Sequence, residues 1–305
     1  MTANVELLIK GKSAEVRQAL VCLMAEGHLL IDDVPGVGKT SLGRAISNSI
    51  SGTMSRIQFT PDLLPTDVSG VHIYNTGERR FEFHMGPVFA NIVMADEINR
   101  ASPKTQSALL EVMEEQQVTA DGQTFTVPRP FMVIATQNPI ELDGTYHLPE
   151  AQVDRFMMRM ELGYPSHDAQ VELLDLRARG VSVDQIQPVL DVAEVQEMID
   201  TARQVDVAKS LLEYVSTLIT HTRSMEQLRL GVSPRGGLAL VRACQSLAAA
   251  NGRTFVVVDD VKQLAAPVLG HRMLLTPDSE LEGVTAEQLI NSTVAVVPVP
   301  QERVG

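Results

Sequence analysis

The 305-residue sequence predicts an α/β domain with a parallel sheet, followed by a smaller helical domain. Several apolar runs of the first half are continuous and not alternating, which is typical of parallel strands buried on both faces. After the turn residues at 163–166 the pattern becomes helical. The predicted domains are therefore residues 1–163 and 164–305. Five runs are the strand candidates: 28–31, 54–59, 92–95, 131–136 and 156–162.

Helix candidates lie between these strands in the first half and follow one another in the second. A helix from Thr40 to Ile50 follows the first strand candidate. Ser102 can cap a helix over 102–116, and Pro103 suits its first turn. The second-half candidates are 167–179, 192–204, 208–223, 234–250 and 260–269, with Gly180 and the Asn251-Gly252 pair as helix stops.

A phosphate-binding loop is predicted between the first strand and the first helix. Gly36 and Gly38 can adopt backbone angles closed to other residues, so backbone N–H groups can surround a phosphate. Lys39 adds a cation for the outer phosphates, and the Thr40 hydroxyl can bind Mg²⁺. The usual pattern has glycine where this chain has Asp33, so a fortuitous glycine turn is the alternative for the loop by itself. The predicted loop residues are Asp33, Val34, Pro35, Gly36, Val37, Gly38, Lys39, Thr40 and Ser41.

Two adjacent carboxylates, Asp96 and Glu97, follow the apolar run at 92–95. The carboxyl ends of parallel strands face the ligand crevice of such a sheet, so both acids are expected beside the phosphate loop. We expect Asp96 to hold the Mg²⁺ through water and Glu97 to polarise an attacking water. A solvated pair that caps the next turn is the alternative.

Three further polar residues are candidates for the site. Asn138 follows the strand candidate 131–136, where its amide could orient water against a γ-phosphate, although Asn-Pro is also a good turn former. Arg155 comes just before the fifth strand candidate and is expected to project from the domain edge. Arg235 lies in the first turn of a helix, where the helix dipole disfavours a cation. A phosphate within reach would remove that conflict, whereas a surface salt bridge is the usual explanation for either arginine.

Composition argues against nucleic acid and membranes as partners. The net charge is −13, without a cluster of Lys and Arg that could follow a phosphate backbone. Eight Phe, four Tyr and no Trp leave little for base stacking. No apolar run approaches the roughly 18 residues of a membrane span, and the N-terminus lacks a signal-peptide pattern. We therefore expect a cytoplasmic protein without membrane insertion, with Cys22 and Cys244 as buried reduced thiols.

Five segments of the chain together resemble the MoxR family of AAA+ ATPases, in their order and at family-like spacing. The resemblance covers about residues 5–290 and implies an AAA+ αβα core followed by an all-α lid. An acid often occupies the loop position of Asp33 in that family. The segments are DVPGVGKTS (33–41), ADEINRASPKTQSALLEVMEE (95–115), ATQNPIE (135–141), GTYHLPEAQVDRF (144–156) and GVSPRGG (231–237).

The resemblance also assigns a role to each candidate residue. It implies Walker A roles for Lys39 and Thr40 and Walker B roles for Asp96 and Glu97. It implies that Asn138 is sensor 1 and Arg235 is sensor 2. Arg155 matches the arginine finger, which reaches a neighbour's nucleotide. Arg100 and Arg159 remain alternatives for the finger.

The stretches 71–86 and 117–127 each predict a β-hairpin inserted into the α/β domain. The second has the turn signal Asp121-Gly122 at its centre. By resemblance the first is the helix-2 insert of this clade, and such hairpins face the central pore in related rings. An ordinary surface hairpin is the alternative for each.

The function that the resemblance implies is an ATP hydrolase that needs ATP and Mg²⁺ and works as a ring, with a homo-hexamer as the family's usual form. Such proteins remodel or mature a protein partner, here expected to be a von Willebrand factor A domain protein. A DNA motor or loader is the alternative, which the acidic composition disfavours. A GTPase switch is a weaker alternative: residues 67–70 match the D-x-x-G motif, but no guanine-reading N-K-x-D motif follows.

Overall fold

The computed structural model describes residues 1–138, 146, 148–180 and 186–299. Residues 139–141 and residues 144, 145 and 147, which belong to two of the predicted motifs, lie outside the described residues. The strands are β1 (Leu29–Asp32), β2 (Met54–Gln58), β3 (Gly70–Asn75), β4 (Arg80–Met85), β5 (Ile92–Asp96), β6 (Gln117–Ala120), β7 (Gln123–Thr126), β8 (Met132–Gln137), β9 (Met158–Met160), β10 (Leu228–Leu230) and β11 (Leu274–Leu275).

Helices surround these strands and make up most of the second half. They are α1 (Thr2–Val5), α2 (Ser13–Met24), α3 (Lys39–Ser49), α4 (Pro65–Ser69), α5 (Pro103–Glu115), α6 (Glu150–Val153), α7 (His167–Ala178), α8 (Val192–Ala202), α9 (Lys209–Thr222), α10 (Pro234–Ala250), α11 (Val258–Leu269), α12 (Pro277–Leu281) and α13 (Ala286–Val296). Within the described residues, none of these helices is long and apolar enough to cross a bilayer.

The five strand candidates form one parallel sheet in the order β2-β5-β8-β1-β9. Alternate residues of β1 pack on opposite sides: Leu29 and Ile31 join one core cluster, and Leu30 joins the other. This burial on both faces is why the run is continuously apolar. The α/β core followed by a helical lid is therefore confirmed, although the exact boundary at residue 163 stays a prediction.

The sequence patterns located most of the helices in the second half. All five second-half candidates correspond to helices, with ends that differ by two residues or fewer. Helix α13 was not predicted, although Thr285 and Gln288 form a capping box at its start and could have revealed it. Strands β10 and β11 were also missed, because runs of three and two residues carry no readable period.

Both cysteines are free and buried, as expected. Cys22 lies in α2 and Cys244 lies in α10, inside the same hydrophobic cluster. Burial raises the pKa of both thiols well above its usual range. Because the thiolate is the reactive form, these two side chains act as small apolar groups of the core.

The structure contains an antiparallel hairpin at each of the two predicted positions, β3-β4 and β6-β7. The hairpins contact each other through the stacked rings of Phe83 and Phe125, whose centroids lie 4.2 Å apart. His72 of the first hairpin lies 3.0 Å from the carboxylate of Asp121 in the second. The two insertions therefore form one connected surface feature, although they come from different parts of the chain.

A buried histidine connects three elements at the edge where the parallel strands begin. His28 accepts a hydrogen bond from the Val133 N–H at Nδ1, so its Nε2 must carry the proton that bonds the Met113 carbonyl at 3.1 Å. Burial is the main cause that lowers the pKa of His28 to about 4. Protonation of Nδ1 would place two donors against each other, which adds a geometric reason for the neutral form.

The stability of the protein is therefore expected to fall in acid because of His28. Below pH 6.5 an unfolded chain binds a proton at this ring that the folded chain excludes, so stability is lost as the pH falls from 6.5 towards 4. The loss is about 3 kcal/mol at its limit. Chemical denaturation across this range should show a shallower pH dependence for His28→Gln. The control His167→Gln, at a ring that is 90% exposed, should follow the parent. An unchanged slope for His28→Gln would contradict the assignment.

Candidate nucleotide site

The predicted phosphate loop connects the end of β1 to the start of α3, in the position its sequence required. Gly36 has φ of 89° and Gly38 has φ of 100°, both in the region that favours glycine. A Cβ at Gly36 would meet nothing within 4 Å, so the loop is open on that side of Gly36. Gly38 caps α3, whose eleven residues direct the positive end of their dipole at the same space. The loop can therefore hold an anion such as a phosphate.

Lys39 lies against its own loop and among carboxylates. Its ammonium donates to the carbonyl of Asp33 at 2.5 Å and to that of Val34 at 3.2 Å. Partial burial lowers the pKa of Lys39, and four nearby carboxylates oppose that shift: Asp33, Asp96, Glu97 and Asp32. The fold therefore brings the predicted Walker A lysine and both predicted Walker B acids into one electrostatic site.

Asp33 has a structural function that explains why glycine is absent from this position. One carboxylate oxygen accepts from the Val34 N–H at 2.8 Å. The other accepts from the N–H groups of Leu162 at 2.8 Å and Gly163 at 2.5 Å, in the segment that leaves β9 for the helical half. Glycine here would leave those N–H groups without this acceptor. Asp33 thus fastens the phosphate loop to the start of the second half.

Asp96 ends β5 and is buried between two donors. Its carboxylate accepts from the Thr136 hydroxyl at 3.3 Å and from Arg56 Nε at 2.6 Å. Arg56 lies on β2 and Thr136 on β8, the strands on either side of β5. The sheet order therefore fixes the orientation of this carboxylate at the edge where the phosphate loop lies.

Glu97 follows directly and adopts a left-handed backbone with φ of 56°, which is uncommon for a residue with a side chain. Its N–H donates to the Thr136 hydroxyl at 2.9 Å. Its carboxylate accepts from Gln58 Nε2 at 2.8 Å and from Arg100 Nη1 at 3.1 Å. Such a conformation persists only when the surroundings enforce it, and it occurs often at functional sites.

Three residues that hold these acids were not found from the sequence: Arg56, Gln58 and Thr136. Gln58 is the last residue of β2, and Thr136 is the last but one of β8. Both are polar residues near the carboxyl end of a predicted strand, which is the signal that singled out Asn138. Asn138 is buried and follows β8 directly, between the ends of β5 and β1. The structure thus places Asn138 at the same edge as the loop and the acids.

The oxygen donors at this edge fit Mg²⁺ together with a nucleotide. Thr40 is the second residue of α3, and Asp96 supplies a carboxylate, both of which are hard oxygen ligands. Among the described residues, no group of three or more His, Cys, Asp or Glu forms a complete protein cage. Magnesium bound to nucleotides normally takes only one or two protein ligands plus phosphate oxygens, so the available donors suit it.

Arg155 and Arg235 lie at the other edge of the sheet. Arg155 pairs with the Glu114 carboxylate at 3.0 Å, and Arg235 pairs with the other oxygen of the same carboxylate. His28, the residue before β1, shows which edge this is. Its ring bonds the Met113 carbonyl of α5, and its carbonyl accepts from the Met157 N–H before β9, so these segments lie where the parallel strands begin. The four residues of β1 separate this edge from the phosphate loop, a rise of about 13 Å. The two arginines therefore do not join the loop of their own chain.

The salt bridge to Glu114 also removes the dipole conflict that the sequence indicated for Arg235. The Glu114 carboxylate is an anion beside this first helical turn, and a phosphate within reach of Arg235 stays a prediction. The other two finger candidates lie at the loop edge of their own chain, since Arg100 pairs with Glu97 and Arg159 pairs with Asp32 at 2.5 Å.

Comparisons with known proteins agree with this geometry. Residues 28–158 match the ATPase family associated with various cellular activities (AAA), and residues 220–293 match the AAA lid domain. Chaperone MoxR1 of Mycobacterium tuberculosis is 42% identical, over 98% of this chain and 81% of its own length. Protein MoxR of Paracoccus denitrificans is 31% identical, over 96% and 93%. YeaC of Bacillus subtilis, an uncharacterised protein, is 45% identical over 98% and 94%.

A solved structure is similar over nearly the whole chain. The crystal structure of a candidate ATPase from Cytophaga hutchinsonii superposes with a TM-score of 0.92 at 36% identity. The match covers 98% of this chain and 93% of that one, so it includes both the sheet and the helices that follow it.

Proposed function

The chain belongs to the MoxR family of AAA ATPases, and from that premise we propose that it hydrolyses Mg²⁺-ATP in a ring and uses the cycle to remodel or mature a partner protein. The observation that carries the proposal is the arrangement of Lys39, Asp96 and Glu97 around one open loop. Lys39 begins α3, whereas Asp96 and Glu97 are adjacent at the carboxyl end of β5, and the sheet brings the three side chains to one edge. Positioning and charge stabilisation at such an edge are the main requirements for phosphoryl transfer.

Each residue has a distinct task in this proposal. The loop N–H groups and Lys39 hold the phosphates, after the ammonium exchanges the carbonyls of Asp33 and Val34 for phosphate oxygens. Glu97 accepts a proton from the attacking water, and Asn138 helps to orient that water. Thr40 and Asp96 would hold Mg²⁺, which supplies positive charge to the phosphate oxygens.

The separation between Arg155 and its own phosphate loop supports the ring. A guanidinium at the opposite edge can reach a nucleotide only if that nucleotide is bound to another subunit. Glu114 holds both Arg155 and Arg235 by one carboxylate, so the two guanidinium groups lie side by side at this edge. We therefore assign Arg155 as the finger and place Arg235 beside it in the same trans site. A homo-hexamer is the ring size we propose, following the family resemblance.

The partner is proposed to be a protein, and a von Willebrand factor A domain protein by family resemblance. The relative named Chaperone MoxR1 supports a remodelling role. The net charge of −13 disfavours nucleic acid as the substrate. Two buried thiols and the need for ATP suit the cytoplasm, without membrane insertion.

Nucleotide should control assembly if one subunit's arginines meet the next subunit's phosphates. A ligand favours the ring only when it binds the ring more tightly than the free subunit. A γ-phosphate that contacts two subunits meets this condition. Light scattering of Glu97→Gln, which keeps ATP intact, should show a large rise in mass when ATP and Mg²⁺ are added, and a smaller one with ADP. A monomer in both conditions, at concentrations well above those of the activity assay, would contradict the ring.

A further inference from the structure

One buried arginine connects the lid to the segment that carries Arg155. Arg272 lies in the turn after α11, and its side chain is only 2% exposed. It donates to the Asp154 carboxylate at 2.6 Å and to the carbonyls of Asp154, Phe156 and Met157 at 3.0, 2.7 and 3.2 Å. One guanidinium thus binds four acceptors on residues 154–157, the segment between α6 and β9.

A second lid element reaches the same segment. The other oxygen of the Asp154 carboxylate accepts from the Ser233 hydroxyl at 3.4 Å. Ser233 is the N-cap residue of α10, the helix that carries Arg235 in its first turn. The neighbours Asp154 and Arg155 are therefore both joined to the lid, Asp154 through Arg272 and Ser233, and Arg155 through the Glu114 carboxylate that it shares with Arg235.

We propose that Arg272 is a positioning residue for Arg155, so that the orientation of the lid sets the arginine presented to the neighbouring subunit. Arg272 contacts no nucleotide in this proposal; it acts by fixing the backbone on either side of Arg155. The inference rests on the proposed trans role of Arg155. A rigid segment is needed because a positioning error of about 1 Å can cost about 10²-fold in rate.

The chemistry of the contact explains why arginine is required. A guanidinium presents five N–H donors in a planar fork, whereas an ammonium has three donors on a flexible stem. Lysine at this position would keep the charge opposite Asp154 but could not hold the three carbonyls as well. The lid leaves room for this side chain through Gly236, where a Cβ would lie 2.6 Å from Val232 Cγ1 and 2.8 Å from Arg272 Cδ.

The experiment compares single variants with mixed rings. Arg272→Lys alone should lower kcat by about 10- to 10²-fold with little change in the KM for ATP, because its own phosphate loop is intact. Mixing it with Glu97→Gln should restore activity, since the Glu97→Gln subunits supply well-placed fingers to the Arg272→Lys sites. The matched control Arg229→Lys, at an exposed lid arginine that pairs with Glu150, should keep the parental kcat.

A substitution on the lid side of this contact provides a second test of the same proposal. Gly236→Ala crowds both Arg272 Cδ and the buried Val232 side chain from the lid side, and it should show the same rescue in mixed rings. Gly270→Ala is its control, because a Cβ there would meet nothing within 4 Å. Circular dichroism checks folding, and Asp154→Asn replaces Arg272→Lys in the mixing assay if the lysine variant does not fold.

The outcomes separate this inference from the function on which it rests. Rescue of Arg155→Ala by Glu97→Gln, with no rescue of Arg272→Lys or Asp154→Asn, would overturn the positioning role and leave the trans site intact. A parental kcat for Arg272→Lys would overturn it as well. If Arg155→Ala itself is not rescued in rings that demonstrably mix, the proposed trans function is wrong, and the inference fails with it.

Discussion

Glu97→Gln is expected to bind ATP with Mg²⁺ and to hydrolyse it about 10²- to 10⁴-fold more slowly than the parent, because an amide cannot take the proton of the attacking water. The substitution is close to isosteric, and the carbonyl oxygen of the introduced amide can still accept the hydrogen bond from Gln58. The hydrogen bond from the Glu97 N–H to the Thr136 hydroxyl does not involve the carboxylate and is kept in the variant. The variant should therefore fold normally and differ in chemistry only.

Two further variants test whether the loss of hydrolysis is specific to the Glu97 carboxylate. Lys39→Ala should lose ATP affinity, since the loop loses its cation, whereas Glu97→Gln should keep it. Glu111→Gln makes the same carboxylate-to-amide change at an exposed position of α5 and should hydrolyse ATP at the parental rate. Single-turnover hydrolysis and equilibrium binding of ATP measure the two effects separately. Parental hydrolysis by Glu97→Gln would show that the base has been assigned to the wrong residue.

Arg155→Ala is expected to bind ATP normally but to lose about 10³- to 10⁵-fold in hydrolysis rate, the measured range for arginine fingers. The structural reason is that its guanidinium lies at the edge of the sheet away from its own loop, beside Glu114. Glu97→Gln subunits carry the opposite defect, because their own site is inactive while their finger is intact. Mixing the two inactive proteins should therefore restore activity where an Arg155→Ala site meets a Glu97→Gln finger.

The same mixture tests every other arginine in question. Arg235→Ala should also be rescued, because Arg235 shares the Glu114 carboxylate with Arg155. Arg100→Ala and Arg159→Ala should not be rescued, since those side chains lie at the loop edge of their own chain, where they pair with Glu97 and Asp32. Failure of Arg155→Ala to recover at any ratio, alongside rescue of Arg100→Ala or Arg159→Ala, would move the finger to that residue.

Local patterns in the sequence determined the elements and the places of the loop and the acids in the chain. The glycines at 36 and 38 needed positive φ, and they have it. The continuous apolar runs predicted strands buried on both faces, and all five strands lie in one parallel sheet. From those two facts, Asp96, Glu97 and Asn138 had to reach the edge where the loop lies, because parallel strands end on the same side. Each of these predictions depends on residues that are close together in the chain.

Tertiary structure alone decided what each charged group touches. Arg235 and Glu114 are 121 positions apart in the chain, and Asp33 bonds residues 129 and 130 positions away. Arg56, Gln58 and Thr136 hold the two acids because β2 and β8 lie on either side of β5, an order that no local period encodes. Hydrophobic periodicity reports which face of an element is buried, whereas a hydrogen bond requires two particular atoms within about 3 Å. That second condition is met only when the whole chain has packed.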